Sequence, residues 1–186
     1  MKELSRERLP VSVSAAVFIE DEQGRLLLLQ QSSEKEGKRW GPPAGGMFPH
    51  EDPFENARRE TREEIGVEIE FIDVLGIYTI GRGGTKTGIG FVFRARITIG
   101  KIKPTAGEID NYKFFTPDEI KMLIDNDLLY KPEYNKQCIE DWINGLSFPL
   151  GVIRPLTKNF KRLQSNFTIY IFLKNFIITM NLSMRI

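Results

Sequence analysis

One cysteine, Cys138, and one histidine, His50, are all that this 186-residue chain offers of the two residue types that most often hold soft metals. An intramolecular disulfide is therefore excluded, and a zinc site built from Cys and His cannot be assembled. Any resident metal must be held by oxygen. Charge of one sign is missing too: 26 Lys and Arg stand against 25 Asp and Glu, a net charge of +1. Such a balance gives no long-range attraction for a nucleic-acid backbone or an anionic membrane, so neither is expected as a partner. The opening MKELSRERLP is charged and lacks the apolar core of a secretory signal, which points to the cytoplasm. No uninterrupted apolar run reaches the ~20 residues of a spanning helix; the most apolar stretch, Phe167 to Leu182, is broken by Lys174 and Asn175.

What the chain does have is 41% hydrophobic residues, enough for the core of one domain of ordinary size. Val11 to Ile19 and Arg25 to Gln30 are strand-like runs around Asp21-Glu22-Gln23-Gly24, the pattern of a hairpin. Trp40 to Met47, with two prolines and three glycines, reads as a shaped loop without regular structure. In Pro53 to Ile65, the residues Phe54, Ala57, Thr61 and Ile65 share one helical face, and Gly66 supplies the stop. Val67 to Ile80 and Ile89 to Ile99 are strand-like around a Gly-rich loop, Gly81 to Gly88. Thr116-Pro117-Asp118-Glu119 is an N-terminal helix signal, predicting a helix over 117–125, and a last helix is expected over 132–144, with Cys138 and Trp142 in its core face. Strands and helices mixed without strict alternation indicate an α+β fold, an αβα sandwich. Leu156 to Ile186 lacks Gly and Pro; its pattern is compatible with an added helix, an edge strand or a loosely packed tail.

The chemistry concentrates in Gly45 to Val67. At ~100° per residue, Glu60, Glu63 and Glu64 fall within an arc of about 100°, while Arg58, Arg59 and Arg62 occupy another. A salt-bridged solvent face is one reading, supported by Arg59 and Glu63 at i, i+4. Against it, Glu60 and Glu64 are like charges one turn apart, with no evident partner on their own side. Carboxylates so clustered suit a hard cation, Mg²⁺ or Mn²⁺.

The residues Gly45, Glu51, Arg59, Glu60, Glu63, Glu64, Gly66 and Val67 follow G-x5-E-x7-R-E-U-x-E-E-x-G-U, where U is aliphatic, and so resemble the Nudix hydrolase family. Thr61 is the one departure, and its methyl can pack. The resemblance runs on through Trp40 and through Glu108 to Ile120, and implies a Nudix domain over about residues 9–148, followed by an extension over 149–186. It implies an α/β/α sandwich with a mixed sheet, and hydrolysis of a nucleoside diphosphate linked to another group. By the same resemblance, Glu60 and Glu64 bind the divalent cation, Glu63 binds a further ion or acts as base, and a carbonyl of Ala44 or Gly45 adds a ligand. Arg59 is better placed to orient a glutamate than to touch substrate. Glu108 is the candidate for the downstream loop glutamate that completes such sites, with a solvated loop acid as its alternative. Glu51 either favours the helix dipole or holds the loop. His50 reads as a loop residue.

Subgroup signatures narrow the substrate chiefly by absence. No proline occurs between Pro53 and Pro104, where members acting on ADP-ribose usually carry one, and Gly84 and Thr85 stand where those acting on dinucleoside polyphosphates tend to have tyrosine. Pro43-Ala44-Gly45 and the segment Lys131 to Leu150 look like phosphatases of nucleoside di- and triphosphates or thiamine-type diphosphates. Arg82 and Lys86 can meet phosphates, or can simply be solvated. The expected ligand is thus a small nucleotide or organic diphosphate. The other readings are an ADP-ribose or nucleotide-sugar pyrophosphatase and a non-catalytic nucleotide sensor. An RNA-processing hydrolase is disfavoured by the neutral charge. A homodimer is left open.

Overall fold

The computed structural model describes residues 11–32, 38–82, 86–155, 170–173 and 176–179, with the backbone alone for 80–82, 86 and the last two segments. Strand β1 (Val11–Ile19) pairs in parallel with β6 (Lys86–Ile99) and antiparallel with β4 (Ala44–Gly46), and β6 pairs antiparallel with β5 (Glu68–Arg82). The result is a mixed four-stranded sheet of order β4-β1-β6-β5. A second, antiparallel sheet has the order β3-β2-β7, from Trp40–Gly41, Leu26–Gln31 and Ile109–Phe115.

Three helices complete the unit: α1 (Pro53–Ile65), α2 (Pro117–Asp125) and α3 (Pro132–Ile143). Each begins with proline, whose fixed φ and missing N–H suit a first helical turn. Asp52 and Thr116 close capping boxes with Glu55 and Glu119, and Gly66, at φ 70°, ends α1 in the left-handed region that glycine enters without steric cost. Adjacent residues of β6 face opposite sides of the sheet: Val92 lies in the core with Ile139 and Trp142 of α3, and Phe93 packs its ring 4.9 Å from that of Phe54 on α1. The four-stranded sheet is therefore sandwiched between α1 and the pair α2/α3, the expected α/β/α arrangement. Among the described residues no helix is long and apolar enough to cross a membrane.

Several local expectations are corrected. The turn at Asp21–Gly24 closes through Asp21 N–H to Arg25 O and Gly24 N–H to Asp21 O, yet its strands share a single bridge, Glu20 to Leu26, and diverge into different sheets. Trp40 to Met47 contains two short strands, because β2 and β1 supply ladder partners that the Gly- and Pro-rich sequence does not announce. The Gly-rich loop is shorter than 81–88: pairing continues to Arg82 and Lys86. The compact unit that contains every element so far runs to Val152, and residues 153–186 form a separate unit holding a hairpin of β8 (Tyr170–Leu173) and β9 (Phe176–Thr179).

Helix α1 is seated by a triangle of rings, Phe54, Phe71 and Phe93, with centroids 4.9 to 5.2 Å apart. Phe54→Ala should lower the unfolding free energy by about 3–5 kcal/mol. Fully buried Thr61 behaves otherwise. Its hydroxyl donates only to the Ala57 and Arg58 carbonyls of its own helix, so Thr61→Val orphans nothing and should change stability by less than about 1 kcal/mol. Urea titration of the two variants checks both expectations.

Candidate active site

Helix α1 presents its carboxylates to a cavity of about 630 Å³ lined by Gly45, Gly46, Met47, Phe48, Arg59, Glu60, Glu63, Glu64, Thr105 and Glu108. Thus Glu60, Glu63, Glu64, Arg59 and Glu108, all singled out in the sequence, come to one place. The last of these arrives by way of the helix terminus. Carbonyls at the end of a helix lack intrahelical donors. Here Thr105 N–H donates to Glu64 O at 2.9 Å, Lys103 N–H to Ile65 O at 2.9 Å, and the Thr105 hydroxyl to Glu63 O. Glu108 N–H then donates to Thr105 O, and Ser32 N–H to Glu108 O, which fixes the residue just ahead of β7.

Arg59 joins the parts. Its Nε donates to Glu51 Oε1 at 2.6 Å, and Nη2 to Glu51 Oε2 at 3.1 Å and to the Gly46 carbonyl at 2.9 Å. Nη1 reaches Glu60 Oε1 at 2.8 Å and Glu63 Oε2 at 2.7 Å, and the guanidinium lies over the Phe48 ring, 4.2 Å from its centroid. Hydrogen bonds from Arg59 hold the Glu51 carboxyl below its ordinary range, while those same carboxylates raise Arg59 further above its own. The separation of cations and anions expected from the helical wheel fails at this residue, whose long side chain reaches across to Glu60. Glu51 holds the loop as well, accepting from Phe48 N–H at 2.8 Å.

Glu64 is treated differently. It is buried, and the partner it finds among the described residues is the Ala44 N–H, 3.1 Å from Oε2; no cationic side chain reaches it. Burial, with the charges of Glu60, Glu108 and Glu63 added, pushes its carboxyl up to about 8. Glu60 is also raised, first by burial. Its carboxylate fills the space that a side chain at Gly45 would need: a Cβ there would stand 2.0 Å from Glu60 Cδ. Glycine at 45 is thus a condition for this close approach.

Among the described residues no three His, Cys, Asp or Glu side chains are already drawn together as a metal cage. The donors present nonetheless suit a hard cation: they are carboxylates and main-chain carbonyls, and the buried Glu64 has no cationic side chain beside it among the described residues, so it gains a charge partner only from a bound cation. Arg82 and Lys86 form the final pair of the β5–β6 ladder, and their side chains lie outside the described residues. His50 is exposed in the turn after the loop, at φ 74°, and does not line the cavity; Cys138 and Trp142 are core residues. Two neighbours of the site went unnoticed in the sequence. Thr105 left no signal. Asn56 did, because it lies one turn before Glu60, on the arc of the glutamates.

The NUDIX domain model matches residues 10–137. A "MutT-like protein" of Streptomyces ambofaciens is 30% identical over 109 residues, 59% of this chain and 66% of that protein. The "8-oxo-dGDP phosphatase NUDT18" of Homo sapiens is 37% identical over 98 residues, 53% of this chain and 28% of that protein. The match thus spans less than two thirds of the length of either curated relative. A "NUDIX hydrolase from Nitrosomonas europaea" superposes with a TM-score of 0.68 at 25% identity, covering 78% of this chain and 97% of that one. With Gly45, Arg59, Glu60, Glu63 and Glu64 lining one cavity, and a family model matching well over half of its length, the chain belongs to the Nudix hydrolase family.

Proposed function

We propose that this protein is a divalent-metal-dependent hydrolase of the phosphoric anhydride bond in a nucleoside di- or triphosphate, or in a related small organic diphosphate. The observation that carries the reading is the convergence of Glu60, Glu63, Glu64 and Glu108 on one cavity with Glu64 buried and unmatched. In hydrolysis, water attacks one phosphorus, the P–O bond to the bridging oxygen breaks, and the departing phosphate carries away the electron pair while a base takes the water's proton. A bound Mg²⁺ or Mn²⁺ supplies charge neutralisation and activation of that water. Glu60, Glu64 and the main-chain carbonyl of Ala44 or Gly45 would hold the ion. Glu63 would hold a second ion or serve as base, and Glu108, exposed at the rim, is the other base within the same cavity. Bound also to Glu51 and the Gly46 carbonyl, Arg59 orients Glu60 and Glu63. Arg82 and Lys86, at the tip of the β5–β6 hairpin, would meet distal phosphates. We assign residues 9–148 to the hydrolase domain and 149–186 to an extension.

The choice of a nucleoside phosphate over ADP-ribose rests on the missing proline between Pro53 and Pro104, and agrees with the name of the human relative. A phosphate-release screen over nucleotides, nucleotide sugars and thiamine diphosphates with Mg²⁺ tests it. A kcat/KM for ADP-ribose above that of every nucleoside phosphate would place the protein in another subgroup. EDTA should abolish turnover, with Mg²⁺ or Mn²⁺ restoring it; full activity in metal-free buffer would remove the mechanism. Nucleotide binding without turnover would favour a sensor.

Glu64→Gln keeps the shape and removes the charge. Its kcat should fall at least ~100-fold, or ~2.7 kcal/mol of transition-state stabilisation. Stability supplies a separate readout. In the metal-free folded state Glu64 keeps its proton up to about 8, against 4.5 ordinarily, so between those values the native state binds the extra proton. The associated stability is complete below about pH 4.5 and lost as pH rises through about 8. The wild-type thermal midpoint, minus that of Glu64→Gln, should therefore decline across this window. A difference independent of pH would mean that Glu64 is not the strained group.

A further inference from the structure

Asn56 has no exposed surface. Its side-chain NH₂ donates to the Gly46 carbonyl at 3.0 Å and, more weakly, to Glu60 Oε1 at 3.4 Å. Both partners are acceptors, which fixes the orientation of the amide and leaves Oδ1 buried with no donor among the described residues. An orphaned buried oxygen costs free energy that alanine or leucine at this position would avoid. Nor are the two hydrogen bonds needed to satisfy their acceptors, since Arg59 already donates to the Gly46 carbonyl and pairs ionically with Glu60 Oε1. What the amide adds is direction. It ties α1 to the last residue of β4 at the point where the Glu60 carboxylate lies against Gly45, with no room for a Cβ between them.

We infer that Asn56 is a positioning residue of the site, retained at a cost in stability because it presents the Glu60 carboxylate and the glycine loop to the cavity in one fixed arrangement. The inference rests on the reading of Glu60 as a metal ligand and goes beyond it. Groups hydrogen-bonded behind metal ligands reduce the freedom that binding must otherwise remove, and losing one typically weakens metal binding about 10–100-fold.

Asn56→Ala and Asn56→Leu in the full chain test the inference, with Mn²⁺ binding followed by calorimetry without substrate and thermal midpoints taken in EDTA. Leucine keeps the branched shape of asparagine without its polar atoms, and alanine removes the amide and improves helix propensity. The expected result is Mn²⁺ binding weakened about tenfold or more, together with a midpoint equal to or above wild type in at least one variant. Wild-type affinity in either folded variant overturns the inference. So does weaker binding accompanied by lowered midpoints in both, which would reduce Asn56 to a packing residue. A wild-type protein that does not bind Mn²⁺ at all, or a Glu64→Gln variant that binds as wild type does, would instead sink the metal reading on which the inference stands.

Discussion

The guanidinium of Arg59 is the constraint on which the rest of the site depends. It donates four hydrogen bonds, to Glu51, Glu63 and the Gly46 carbonyl, forms an ion pair with Glu60, and the Phe48 ring covers one face. A planar fork of this kind fixes direction as well as charge, which an ammonium on a flexible stem does not. The loop before α1, the helix itself and the turn of Glu51 are in this way locked to one another through a single side chain. Its worth lies in geometry more than in stability. Glu63 is 54% exposed, and ion pairs open to water contribute little, about 0–1 kcal/mol.

Arg59 also decides where negative charge is left over. It neutralises Glu51 and shares itself between Glu60 and Glu63, and among the described residues no cationic side chain remains for Glu64. A buried carboxyl group is expensive to ionise unless paired, so the metal-free site is strained at Glu64. Glu64 is buried, and its carbonyl is tied to the Thr105 N–H on the connector before β7, which holds this turn of α1 against the cavity. The strain is thereby kept in the cavity, where only a proton or a cation can relieve it.

Much of this was legible in the sequence, for local reasons. The bounds of α1 follow from Pro53 and Gly66, and the glutamate arc from spacing alone, because helical geometry needs no distant partner. The short strands at Trp40–Gly41 and Ala44–Gly46 were not legible, since their pairing comes from β2 and β1 and their own residues favour turns. The hairpin at Asp21–Gly24 failed similarly: its turn chemistry is local and correct, but the sheet each strand joins is decided by β6 and β7. A helical wheel assigns each residue a point on a circle, and so missed that Arg59 is long enough to reach Glu60. Asn56 went unnoticed because a lone asparagine among charged neighbours reads as a surface residue until its burial is known.

The end of α1 explains how a loop acid reaches a helix-borne site. Glu63 and Glu64 occupy the last turn, where the helix dipole is negative and disfavours carboxylates. Arg62 is the one basic residue in that turn, and it is engaged by Glu68. The terminal carbonyls instead receive donors from Lys103 and Thr105, which satisfy the helix end and damp its negative pole. Those donors belong to the connector leading into β7, so the contact that caps the helix also sets Glu108 three residues further on, at the rim of the cavity. Helix capping and site assembly are one event in this fold. The connector cannot leave the helix without exposing carbonyls at one end and withdrawing a carboxylate at the other.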